Sequence, residues 1–183
     1  MKPGRVARQE YEYRRHGTLV LFALMIVQTG CILGKLMARR RSPDTARTMD
    51  AFLNTLWAQG FTGADVILDN LNTHWSRAMV RVVARHRGVR APKLRTGTER
   101  RAWLESRDHP RVVFHFTPKH ASWLNPIEIW FAVLSRKVLR RGSFESTADL
   151  QARVERFIEY YNKRLAHPYR FKPYPKHPQK KAA

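Results

Sequence analysis

The sequence predicts an α/β fold, and three observations lead there. Aliphatic runs of strand length recur at residues 17–27, 31–37, 65–68 and 111–116, each closed by turn residues. Between the later runs, apolar residues fall at three- and four-residue spacing, as in helices that carry the chain from one strand to a parallel neighbour. A length of 183 residues with 43% hydrophobic content suits one domain, large enough to bury a core without disulfides or a structural metal.

Residues 1–16 include Tyr11, Tyr13, Arg14, Arg15 and His16 without a sustained period, and read as a basic arm. A strand from Gly17 to Val27 turns at Gln28-Thr29-Gly30 and returns through Cys31 to Met37 as its antiparallel neighbour. Arg39-Arg40-Arg41-Ser42-Pro43-Asp44 then ends the hairpin. Its second half signals a helix start, with a capping hydroxyl on Ser42, proline in the first turn and an acid at the positive end. Met49, Phe52, Leu53, Leu56 and Trp57 give that helix one apolar face, and Gly60 stops it.

The next strand, 65–68, leads through Asn72-Thr73-His74 into a helix over 76–86 that presents Met79, Val80, Val82 and Val83. A basic loop over 88–97, a short helix over 98–104 and a strand over 111–116 follow. Asn125 and Pro126 open a helix with Ile127, Phe131, Leu134 and Val138 as its stripe. Another helix begins near Ser146, paired with Asp149 as in a capping box, and Leu150, Val154, Phe157, Ile158 and Tyr161 line one face. The expected organisation is a basic arm (1–16), an α/β domain (17–166) and a basic, Pro- and Lys-rich tail (167–183).

A single cysteine, Cys31, forms no internal disulfide and reads as a small core residue in a cytoplasmic setting. The apolar stretch 19–38 is interrupted by Gln28-Thr29-Gly30 and by Lys35, so its halves have strand length rather than the roughly 20 residues of a membrane helix. No signal peptide is evident at the start. Against this ordinary background the charge is extreme: 35 Lys and Arg and 14 Asp and Glu give +21, which points to a polyanion, nucleic acid foremost.

Chemistry concentrates at Asp69, where the run Val66-Ile67-Leu68 would surface, and at Glu128, in the first turn of a helix that follows another strand. Two carboxylates brought together at strand ends make a hard-oxygen site suited to Mg²⁺ or Mn²⁺. A pair of such ions serves phosphodiester chemistry by activating a nucleophile and stabilising the leaving oxygen. Each acid also has a structural reading: Asp69 capping its own turn, Glu128 bonding back to the Asn125 cap. His74 reads as a turn histidine.

Ile67-Leu68-Asp69-Asn70 with His74, and the long string from Phe116 through Trp123-Leu124-Asn125-Pro126-Ile127 to Glu128, resemble the second and third acidic motifs of bacterial insertion-sequence transposases of the mariner superfamily. Tyr13-Arg14-Arg15-His16-Gly17-Thr18 and Phe157-Ile158-Glu159-Tyr160-Tyr161-Asn162 extend the resemblance to about His167. It implies an RNase H-like mixed sheet flanked by helices, in which Asp, Asp and Glu bind two divalent ions, nick transposon ends and join them to target DNA. Asp69 then corresponds to the second acid and Glu128 to the third, both catalytic and metal-binding.

The first acid, expected on a strand ahead of Tyr13, has no counterpart, and neither has the end-recognising helix-turn-helix. The expectation is therefore the carboxy-terminal catalytic portion of a DDE transposase, short of its first strand and inactive alone. An upstream fragment is the implied source of the missing acid, DNA the partner and a homodimer the assembly. Without its first strand, the neighbouring strand presents an unpaired edge. Arg39, Arg40, Arg41, Lys119, Arg136, Lys137, Arg140 and Arg141 are the candidate phosphate contacts. The alternative is a non-catalytic basic nucleic-acid-binding protein whose acids are structural.

Overall fold

A computed structural model describes residues 16–118, 125–140 and 142–170. The strands are β1 (Val20–Ile26), β2 (Cys31–Met37), β3 (Ala64–Leu68) and β4 (Val112–Phe116). The helices are α1 (Ser42–Ala58), α2 (Arg77–Arg87), α3 (Gly97–Glu105), α4 (Ile127–Leu134) and α5 (Thr147–Arg164). The architecture is mixed α/β, and no helix among the described residues is long and apolar enough to cross a membrane.

Where one mixed sheet is expected from the sequence, the strands form two pairs. β1 and β2 are antiparallel, with Val20 opposite Met37 and Ile26 opposite Cys31; β3 and β4 are parallel, with Ala64 opposite Val112 and Leu68 opposite Phe116. Strand side chains alternate between faces, and that alternation sorts them between two cores. Leu24, Ile26 and Leu33 of the hairpin join Val66, Val112 and Phe114 under α1 and α2, around the fully buried Leu53, Met79 and Val83. On the opposite hairpin face, Leu21, Ala23, Met25, Ile32 and Leu36 pack with Ile127, Trp130, Leu134 and Val154 of α4 and α5. Gly34 lies on that face, where a Cβ would run into the Ile158 side chain.

Two details of the elements differ from expectation. Ser42 lies inside α1, not at its cap: the cap is Arg41, whose carbonyl accepts from the Asp44 and Thr45 amides, and no side chain caps this end. Trp130, outside the expected stripe, is the largest fully buried side chain of α4, while Phe131 and Val138 are only half-buried. Past Leu134 the helix widens into a π turn over Ser135–Leu139, so residues beyond it leave the register of a regular helix. The expected cap of α5 is found, and α3 has one beyond those expected. Ser146 Oγ accepts from the Asp149 amide at 3.1 Å, and Thr96 with Glu99 forms a full capping box on α3.

The outer edges of both strand pairs are covered. Asn162 of α5 accepts from the Ile32 amide at 2.8 Å and donates to the Ile32 carbonyl at 2.9 Å, reproducing the pairing of an absent neighbouring strand. At β4, the Arg111 carbonyl bonds to Ala64 of β3, so the next carbonyl, Val112, points outward; it accepts from the buried Arg87 guanidinium at 2.8 Å. Arg87 also donates to the Trp103, Leu104 and Ser106 carbonyls, tying the end of α3 to this edge.

Candidate functional site

Asp69 is the first residue past β3, and the turn after it is held in place from three sides. The Asp69 Oδ1 oxygen accepts from the Leu71 amide at 3.3 Å, closing a short loop, and from His74 Nε2 at 2.9 Å. His74 reaches back because residues Asn72–Trp75 form one turn of 3₁₀ helix. The neighbouring Asn70 side chain donates to the Thr117 carbonyl at the end of β4 and accepts from Arg101 Nη1 at 2.8 Å. Arg101 lies 4.6 Å over the Phe116 ring, which fixes the latch between the two strand ends.

The His74 hydrogen bond holds the Asp69 carboxyl below the usual carboxylate range; burial opposes it, while the His74 charge, the Leu71 amide and the Arg40 charge reinforce it. Asp69 is thus ionised at neutral pH, with its side chain 47% exposed. Its second oxygen, Oδ2, has no hydrogen-bond partner among the described residues. His74 is nearly buried, and its Nδ1 is left without a partner.

Glu128 stands in the first turn of α4. The cap of that turn is Pro126, with no side-chain cap, one residue later than the expected Asn125. Asn125 lies just before it, its side chain accepting from the Ile127 amide at 3.4 Å and its carbonyl from the Glu128 amide at 3.0 Å. The Glu128 carboxylate is exposed and makes no hydrogen bond or ion pair among the described residues, so it does not bond back to this cap. Asp69 and Glu128 line one cavity of about 570 Å³, together with Arg40 and His74. Among the described residues, no three His, Cys, Asp or Glu side chains form a group that could hold a metal ion.

Of the basic candidates, Arg40 alone lines this cavity. Arg39, Arg41, Arg136, Lys137 and Arg140 are exposed and lie outside its lining. Lys119 and Arg141 fall outside the described residues, as does most of the string between Pro118 and Asn125. Asn70 belongs to the motif around Asp69, but its part in aiming the turn was not foreseen, and Arg101, its partner, stood out in neither composition nor spacing. The one available signal was the side-chain amide directly after a strand-end acid.

An α/β layer that presents two acids into one cavity, on a chain of net charge +21, has the make-up of a transposase-type nuclease domain. The chain belongs to the DDE superfamily endonuclease family, whose model matches residues 1–151 and so spans both acids. No curated protein and no solved structure matches the chain.

Proposed function

We propose that this chain supplies the Asp69 and Glu128 part of a divalent-metal site for DNA cleavage and strand transfer, in an RNase H-like transposase domain of the mariner superfamily encoded by an insertion sequence. The observation that supports it best is the shared cavity: two carboxylates with uncommitted oxygens, on a strand end and a helix start, beside one arginine. The donor chemistry fits Mg²⁺ or Mn²⁺, both of which prefer carboxylate oxygen. Two acids are fewer than the family's three, so the isolated chain is expected to be inactive until another segment, such as an upstream transposase fragment, brings the third.

In this reading Asp69 Oδ2 and the Glu128 carboxylate would hold the metal, while His74 and the Leu71 amide orient Asp69 through its other oxygen. Asn70 and Arg101 keep the turn against β4. Arg40 places a positive charge where a phosphate of the DNA backbone would pass. Bound divalent ions polarise the phosphoryl oxygen and lower the pKa of the attacking water or 3′ hydroxyl.

Titration of Mn²⁺ against the wild type, Asp69→Ala and Glu128→Ala tests this directly. Binding that is lost in both variants is the expected result; identical binding in all three removes the assignment. Nicking of end-containing DNA in Mg²⁺, with the missing segment supplied, should vanish in the same variants. A second reading, a non-catalytic DNA-binding protein, draws on the commitment of Asp69 Oδ1 to its own turn. It predicts salt-sensitive DNA binding with no Mn²⁺ affinity at either acid.

A further inference from the structure

We infer that one exposed face of α5 binds single-stranded DNA, with the Tyr160 ring as a base-stacking platform between the Arg156 and Arg164 guanidinium groups. Most charges on this helix are already matched, and the exceptions fall together. Asp149 pairs with Arg153 at 2.8 Å, Glu159 pairs with Lys163 at 2.6 Å, and Glu155 accepts from the Gln151 side-chain amide at 2.8 Å. Arg156 and Arg164 remain, both exposed and without a hydrogen bond or salt bridge among the described residues. They stand one turn before and one turn after Tyr160, so the three share a stripe along the helix. At 55%, Tyr160 is the most exposed large hydrophobic side chain among the described residues.

The fold does not need this arrangement. The inward side of α5 is complete without it: Val154, Phe157, Ile158 and Tyr161 pack into the second core, and Asn162 holds the edge of β2. Those contacts also fix the helix, so the outward stripe is held on a rigid element. An exposed ring between two unneutralised cations is stabilised by a ligand that covers the one and pairs with the others.

The order cation, ring, cation specifies that ligand. A nucleic-acid strand repeats anion, flat base, anion along its length and complements the stripe group for group. An acidic peptide offers the anions but leaves the ring bare. A duplex offers phosphates but keeps the faces of its bases stacked inside, so the exposed ring selects a single strand. From Arg156 to Arg164 the helix axis advances about 12 Å, the span of a few extended nucleotides. The face lies past residue 151, where the family match ends, and none of its three side chains lines the cavity of Asp69 and Glu128. Only the choice of DNA over RNA rests on the proposed function.

A chain of net charge +21 attracts any nucleic acid, so the test compares variants. Fluorescence anisotropy of the full chain, without divalent metal and over a salt series, reads binding to a short oligothymidine strand, an abasic strand of equal length and a duplex. Tyr160→Ala should weaken oligothymidine binding about fivefold or more and leave the abasic strand and the duplex unchanged. Tyr160→Phe should bind like the wild type, because stacking needs the ring and not its hydroxyl. Arg156→Gln with Arg164→Gln should lower the slope of log affinity for oligothymidine against log salt by about 1.4. The same double change at Arg77 and Arg81, exposed arginines of α2, should leave that slope close to the wild-type value. An equal loss at α2 would show diffuse attraction to a basic surface, and an equal loss of all three ligands in Tyr160→Ala would show that no base stacks there. Either result overturns the proposal, and tighter binding of the corresponding RNA strand overturns the choice of DNA. Absence of Mn²⁺ binding at Asp69 and Glu128 would remove the proposed function and leave these comparisons standing.

Discussion

Removing the Asn162 side chain should measure what a covered sheet edge is worth. In Asn162→Ala, the Ile32 amide and carbonyl lose partners at 2.8 and 2.9 Å, and Ile32 itself is 1% exposed. A neutral hydrogen bond contributes about 1 kcal/mol net, but a buried group left unpaired costs about 1–3 kcal/mol. Two such groups, with some water admitted where the half-buried amide stood, give about 2–4 kcal/mol. For a chain of this length that corresponds to a fall in Tm of about 4–16 °C. Urea denaturation gives the free energy, and hydrogen exchange at Ile32 gives the site. Asn162→Asp should not restore stability, because it keeps the acceptor but faces a carbonyl with negative charge. A loss below about 0.5 kcal/mol in Asn162→Ala, with unchanged exchange at Ile32, would refute the assigned edge role.

Three further outcomes follow from the same geometry. Leu53→Ala removes a side chain with no solvent exposure at the centre of the larger core and should cost about 3–5 kcal/mol by chemical denaturation. Because the folded state holds Asp69 below its unfolded pKa, its contribution to stability is present above about pH 4 and fades as pH falls through the folded value. In His74→Ala the Asp69 carboxyl should titrate closer to the ordinary range, as read by carbon-13 NMR of that carboxyl. Arg40→Ala should lower the slope of log affinity for duplex DNA against log salt by about 1 if Arg40 meets a phosphate, and leave it unchanged otherwise.

Much of this architecture was legible in the sequence because its periods are strong. Met79, Val80, Val82 and Val83 are all buried in α2, as their spacing requires, and Gly60 ends α1 with a positive φ of 88°. Asp69 surfaces after Leu68, and Glu128 falls in the first turn of α4. The division of the sheet was harder to read, because pairing partners are set by tertiary placement and both edges of a strand look alike in sequence. Buried polar groups were missed for a similar reason. Arg87 looks like another charge on a basic helix, and His86 like a surface histidine. Yet Arg87 closes an edge, and the His86 ring bridges the Trp57 indole N–H and Asp50, each at 2.8 Å. Nothing in their spacing reveals partners tens of residues away.

The β1–β2 hairpin feeds one core with one face and the second core with the other, which gives it a place in the order of folding. It is the most local long pairing in the described chain, closed by a turn in which the Thr29 and Gly30 amides bond to the Ile26 carbonyl. Such a unit forms in microseconds, well before distant segments meet. The α1–α2 half and the α4–α5 half can then condense on opposite sides of one preformed ribbon. A substitution that weakens the hairpin, at Gly30 or Ile32 for instance, should slow the assembly of both halves together. One buried in a single core, such as Val154, should leave the other half able to form.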